Sequence, residues 1–372
     1  MSSHSLRVCA RTPFEPASPS QADRNVVTPV GTGRAAGLTR TGPPALMAPS
    51  FARPPVAAVV HQEAAVVDLH NDVLLEAAAK RDITVRSSTG HSDLPRLREG
   101  GVDVQCFALF VHPKDAGHGF ERVMELLDAF DRLAAANHAV LGSATSVAEI
   151  ARLQQAGRLA AVLAIENGSA LGGDVDHLDA VYQRGVRMMS LTWNNSNGLA
   201  DGAMESRHGG LTPLGRQVLT RMQQLGMIVD VSHLSAKSFW DVLAATQGPI
   251  VATHSNAAAL TPHPRNLDDE QLRALARRGG VAGVNFYPTF TGGPALARIL
   301  DHIAYMIKVM GPDHVALGSD FDGFGGRVSD LEDVAYLPNL TAGLLDRGYD
   351  AKTITRILGG NALRVFREIW GR

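Results

Sequence analysis

From Val66 onward, short apolar runs alternate with longer amphipathic stretches. The runs Val66–His70, Val102–Val111, Leu159–Glu166, Arg187–Trp193, Met227–His233, Pro249–Ser255, Val281–Tyr287 and His314–Asp320 are nearly continuous in Val, Ile, Leu, Ala and Met. Such runs predict parallel strands covered on both faces. Between them, Glu121–His138, Ser146–Gly157, Asp176–Gly185, Thr212–Gly226, Ala236–Thr246, Leu267–Gly279 and Pro294–Gly311 place apolar residues at helical spacing. Gly185, Gly226 and Gly311 fall where left-handed helix caps are needed. Leu337–Tyr349 and Ala351–Ile369 predict further helices after the last strand. Eight strands separated by helices predict an α/β fold, a (β/α)8 TIM barrel with extra C-terminal helices. The rival, a doubly wound open sheet, calls for a glycine-rich phosphate loop after the first strand, and the sequence has none there.

Residues 1–58 break this pattern. They are rich in Pro, Ser, Thr, Ala, Gly and Arg and have no hydrophobic period, so we expect a disordered N-terminal tail followed by one barrel domain over 59–372. The tail lacks the contiguous apolar region of a secretory signal. No run approaches the ~20 apolar residues of a membrane span, and the C-terminus has no hydrophobic tail for a lipid anchor. A cytoplasmic location is therefore expected. The formal charge of −2 gives no reason to expect nucleic acid or an anionic membrane as partner. Of two cysteines, Cys9 lies in the tail and Cys106 in a predicted strand, which argues against a disulfide framework and makes Cys106 a core residue.

The polar residues that end the apolar runs carry the chemistry. The first run closes on His70 and Asp72, the third on Glu166, the fifth on His233, the sixth on His254 and the eighth on Asp320. Barrel active sites are built at the C-terminal strand ends, so three histidines and three carboxylates would converge on one mouth. Imidazole and carboxylate together suit a divalent metal. A single catalytic zinc uses about three protein ligands; two metals ~3.5–4 Å apart, bridged by a carboxylate, use this set better. Each residue alone has a plainer reading: a hydrogen-bonded strand-end histidine, or a Glu166 that caps the next helix. Asp230, at i−3 from His233, faces the other way and reads as structural. Asp68 reads as structural or as a support behind the ligands. Asp322 falls where Gly323 already turns the chain. His91, His112, His118 and His208 lie in loop-like contexts and receive no role.

These motifs resemble the membrane dipeptidase (renal dipeptidase) family of amidohydrolase-like barrels. The likeness runs from about Val66 to Ile369. It rests on Asp68-Leu69-His70-Asn71-Asp72, Ile165-Glu166-Asn167-Gly168, Asp230-Val231-Ser232-His233, Thr253-His254-Ser255-Asn256, Pro264-Arg265-Asn266-Leu267, Val284-Asn285-Phe286-Tyr287 and Gly318-Ser319-Asp320-Phe321-Asp322-Gly323. The resemblance implies two zinc ions per chain. His70, Asp72 and a bridging Glu166 would hold one, and Glu166, His233 and His254 the other. It makes Asp320 the catalytic proton-transfer group, in contact with substrate. It makes Arg265 the binder of the substrate carboxylate, a role that a guanidinium fork suits. Where familiar members carry a substrate-contacting histidine, this chain has Trp193, which offers an indole N–H and a wide apolar face.

The expected activity is zinc-dependent hydrolysis of dipeptides, with a D-residue at the second position within the family's range. A homodimer is expected only by analogy. Two other readings stand beside it: an amidohydrolase acting on another small amide, lactam or N-acyl amino acid, and a non-catalytic barrel that binds a peptide. A substrate panel separates the first, and metal content with a dipeptide assay separates the second.

Overall fold

The computed structural model describes residues 56–79, 81–205 and 209–371. Its strands are β1 Val66–Asn71, β2 Val102–Phe110, β3 Leu141–Ser143, β4 Leu159–Glu166, β5 Val186–Ser190, β6 Ile228–Asp230, β7 Val251–Ala252, β8 Val281–Val284 and β9 Val315–Leu317. They pair in the order β2-β1-β9-β8-β7-β6-β5-β4-β3, and β2 also pairs with β4. The β2–β4 pairing closes eight parallel strands into the expected TIM barrel and leaves β3 outside the ring. β3 extends the other edge of β4, pairing Leu141–Ser143 with its first three residues before β5 takes over from Leu163. Three residues between two helices are too few to show a period, so this strand escapes sequence reading.

Alternation along the strands builds two apolar layers. Val67, Leu69, Val104, Cys106, Val162, Met188, Ile228 and Val251 fill the barrel. Phe107, Leu109, Leu163, Ile165 and Val229 face the helices outside. Cys106 is fully buried in the inner layer, and burial pushes its thiol pKa well up, as suits a core residue. The helices form where expected, among them Gly119–Ala136, Pro213–Leu225 and Leu296–Met310. Gly226 ends the second of these at φ 69°.

The N-terminal mouth of the barrel is closed by the chain's own end. Ala362, Val365 and Phe366 of helix Asn361–Trp370 join the inner apolar layer. Asn361 Nδ2 donates to the carbonyls of Pro312 and Val315, each at 2.8 Å. The single helix expected over Ala351–Ile369 is instead Ala351–Thr355, a π turn Arg356–Gly360, and Asn361–Trp370. Gly359 gives the reason: a Cβ there would lie 2.0 Å from the Ala65 carbonyl oxygen, so the turn presses backbone to backbone beside β1.

The first described element, helix Val56–Glu63, begins inside the segment expected as tail; residues 1–55 lie outside the described residues. Among the described residues no helix is long and apolar enough to cross a membrane.

Candidate active site

The ligand candidates do converge, but from loops more than from strands. β6, β7 and β9 stop at Asp230, Ala252 and Leu317, two or three residues before His233, His254 and Asp320. The expected strands run too far because His233 and Asp320 have φ 69° and 61°, a left-handed backbone that ends an extended strand. Buried side chains satisfy the freed backbone groups. Asp230 accepts from the N–H of Ser232 and Thr253, and Asp68 accepts from the N–H of Ser319 at 2.7 Å.

His70 and Asp72 reach the same point without lying on one strand face. With Val67 and Leu69 facing inward, strict alternation would turn His70 out. The pairing of β1 with β2 shifts register between Asp68 and Asn71, and Asn71 turns to the Ser92 hydroxyl and the Val73 N–H. The irregularity re-aims His70, and Asp72 lies one residue past the strand.

One half of the cluster is His233, His254 and Glu166 Oε1. His233 Nε2 lies 2.8 Å from Glu166 Oε1 and 2.7 Å from His254 Nε2; His254 Nε2 is 3.9 Å from the same carboxylate oxygen. The other ring nitrogens fix the tautomers. His233 Nδ1 donates to Asn194 Oδ1 at 2.9 Å. Thr253 Oγ1 gives its proton to Asp230 at 2.6 Å, so it accepts from His254 Nδ1 at 2.7 Å. Both Nε2 atoms therefore present lone pairs. Burial drives the pKa of His233 down to about 3, with Arg265 adding to it, and burial with His70 and His233 drives that of His254 well down. Two imidazole lone pairs and a carboxylate oxygen facing one another need a cation between them.

The other half is His70, Asp72, Glu166 Oε2 and Asp320. His70 Nε2 lies 3.5 Å from Asp72 Oδ2, 3.5 Å from Glu166 Oε2 and 4.0 Å from Asp320 Oδ1, with no hydrogen-bond partner. Burial alone lowers the pKa of His70, yet Glu166 and Asp72 outweigh it and hold the net value well above the ordinary one. Burial raises that of Glu166, but His70 and His233 hold it below the usual range. Glu166 thus turns one oxygen to each half. Asp320 is different: burial, with Asp72 and Glu166 adding, lifts its pKa to about 7 against His70 and Asn285. Asn285 Nδ2 donates to its Oδ2 at 2.8 Å and leaves Oδ1 toward the cluster.

Arg265 is 3 % exposed, stacks near the Phe290 ring, and donates only a long bond to the His254 carbonyl, 3.4 Å. Among the described residues no carboxylate forms an ion pair with it. Burial lowers its pKa to about 10 although Asp320, Glu166 and Asp230 attract it. Trp193 lies beside His233, ring centroids 6.2 Å apart.

Asp230 and Asp68 act as supports, one behind His254 and the other between β1 and Ser319, as their sequence positions imply. Asn194, Thr253 and Asn285 are supports to which sequence reading gave no role; Thr253 adjoins His254, Asn194 adjoins Trp193, and Asn285 lies in the Val284–Tyr287 motif. His91 corrects the expectation of no role. It is buried, its Nδ1 accepts from the Asp322 N–H at 3.1 Å, and its Nε2 bonds the Gly326 carbonyl at 2.7 Å, clamping the loop that carries Asp320. His208 lies outside the described residues.

The profile of the membrane dipeptidases, peptidase family M19, matches residues 56–370. The chain belongs to this family. The dipeptidase aclJ of Aspergillus oryzae is 36% identical over 296 residues, covering 75% of this chain and 70% of the relative. A crystal structure of the metallopeptidase dipeptidase AC superposes with a TM-score of 0.78 at 29% identity, over 83% of this chain and 99% of that one. A metallopeptidase of Rhodobacter sphaeroides, bound to a phosphinate mimic of the dipeptide L-Ala-D-Ala, gives 0.78 at 28% identity over 82% and 99%. The protein is a metal-dependent dipeptidase, a hydrolase of peptide bonds. The donor set described above fits that chemistry: buried imidazoles and carboxylates within reach of one another, with the His70 Nε2 left without a hydrogen-bond partner.

Proposed function

We propose that the enzyme cleaves dipeptides with two zinc ions, one held by His70, Asp72 and Glu166 and the other by Glu166, His233 and His254. The observation that supports two sites is the split of Glu166, with Oε1 toward His233 and His254 and Oε2 toward His70. Imidazole with carboxylate suits zinc. Zinc held by these residues would supply a water of lowered pKa and polarisation of the scissile carbonyl.

The chain's own residues do the rest. Asp320 Oδ1 takes the proton of the attacking water and returns it to the leaving amine nitrogen, while Asn285 holds the other oxygen. A carboxylate with one oxygen fixed by Asn285 and the other turned to the cluster is placed for both directions of transfer. Arg265 pairs with the substrate's terminal carboxylate, which limits the substrate to a short peptide. The L-Ala-D-Ala mimic in the Rhodobacter relative supports acceptance of a D-residue at the second position. A panel of L-Ala-L-Ala, L-Ala-D-Ala and N-acetyl-alanine on zinc-loaded enzyme tests the reading. Turnover of both dipeptides is expected; turnover of N-acetyl-alanine alone would move the enzyme to acylamino-acid chemistry.

A further inference from the structure

We propose that Phe110 and Trp193 form the wall against which the N-terminal side chain of the dipeptide packs, selecting aromatic and large apolar residues at that position. The inference rests on the dipeptidase reading above, with Arg265 holding the opposite end of the substrate.

Phe110 is the last residue of β2 and is registered directly against Glu166 of β4. Registered neighbours in a sheet point to the same face. Phe110 also shares the parity of Val104 and Cys106, which fill the barrel interior. Its ring therefore leaves the sheet on the side of the ligands, beside Glu166. Trp193 comes from the loop after β5 and meets it with centroids 5.4 Å apart and planes at 59°. On its other side the indole adjoins His233 at 6.2 Å. His112 extends the surface outward, 6.0 Å from each ring. Phe110 and Trp193 are only partly buried, although the barrel is otherwise densely packed. Two partly exposed aromatic rings beside a buried cluster form a surface for an apolar group.

The ring order gives the direction. Around the closed barrel the strands run β1, β2, β4, β5, β6, β7, β8, β9, so β2 stands opposite β7. Arg265 follows β7 and Phe110 ends β2. A dipeptide with its carboxylate on Arg265 and its scissile carbonyl at the Glu166 cluster extends its N-terminal residue toward the β2 side. Its side chain then meets the Phe110–Trp193 wall and not the Arg265 loop.

The test compares kcat/KM for L-Phe-L-Ala, L-Ala-L-Phe and L-Ala-L-Ala on zinc-loaded wild type, Trp193→Ala, Phe110→Ala and Trp193→Phe, with zinc content measured for each. The wild type should prefer Phe-Ala over Ala-Ala by roughly tenfold or more, and Ala-Phe should show no comparable gain. Trp193→Ala and Phe110→Ala should each collapse the Phe-Ala/Ala-Ala ratio toward one, and Trp193→Phe should restore most of it. A wild type that cleaves all three equally, or variants that lower all three in proportion, would overturn the wall while leaving the dipeptidase reading intact. No turnover of any of the three by zinc-loaded wild type would overturn that reading itself.

Discussion

Glu166 is the residue on which the two halves of the cluster depend. It is buried, it faces His233 with one oxygen and His70 with the other, and its charge would offset the two cations proposed there. Glu166→Gln keeps the shape and removes that charge. The variant should lose bound zinc as well as turnover; retention of about two zincs per chain with near-normal rate would remove the bridge from the account. Asp320 stands apart because Asn285 holds one of its oxygens and burial keeps its pKa near 7. A group that moves a proton in the transition state contributes ~10²–10⁴-fold. Asp320→Asn should lower kcat by about that factor with zinc content unchanged. Loss of zinc in this variant would make Asp320 a ligand. Support residues act more gently. Asp230→Asn disturbs the Thr253–His254 chain, and loss of such an outer partner typically costs ~10–100-fold in metal affinity. A zinc-buffer titration of that variant against wild type reads the shift directly.

At the scale of elements, the helix Val56–Glu63 is held to the barrel by its buried face, Val60 in the apolar layer and His61 through hydrogen bonds. His61 Nδ1 bonds Thr341 Oγ1 at 2.7 Å and its Nε2 bonds the Gly100 carbonyl at 2.9 Å, all buried. A chain that starts at Pro55 should match the full chain in thermal stability and zinc content. A chain that starts at Ala64 leaves these partners unmet and should lose about 1–3 kcal/mol or more. Thermal melts of the two truncations distinguish them; equal melting temperatures would make the helix an ornament. The elements also mark what the sequence made legible. β1 and β4 were readable because apolar residues lead to His70 and Glu166 at their ends, and β2 because only Asp103 and Gln105 interrupt its apolar run. β3 was not, since three residues hold no period. The π turn at Arg356–Gly360 was not, since close approach to Ala65 is a tertiary fact. The ligands were readable by residue type and order. Their placement on left-handed loop positions was not, because His233 and Asp320 are held there by Asp230, Ser319 and Asp68, which look like ordinary strand residues in sequence.

Across the whole molecule, burial also sets how stability responds to pH. His302 illustrates this away from the cluster. It is buried, its Nδ1 accepts from the Ala257 N–H at 3.2 Å, and burial lowers its pKa to about 4. The unfolded value is about 6.5. Between these values the unfolded chain binds a proton that the fold refuses, so this contribution is complete above about pH 6.5 and is lost as pH falls toward about 4. Measured against His302→Gln, the wild type should lose stability over that window in denaturant titrations; a constant difference would refute the neutral assignment. At the cluster, His70, Glu166 and His254, and likewise His70, Asp72 and Asp320, bring ligand atoms within 4.8 Å of one another in a buried site that a cation completes. The most direct test strips the enzyme with a chelator and returns zinc in steps, reading bound zinc and L-Ala-L-Ala turnover in the same sample. The account predicts no turnover without metal and full activity at about two zincs per chain. Turnover that survives stripping, or that saturates with a single zinc bound, would contradict it.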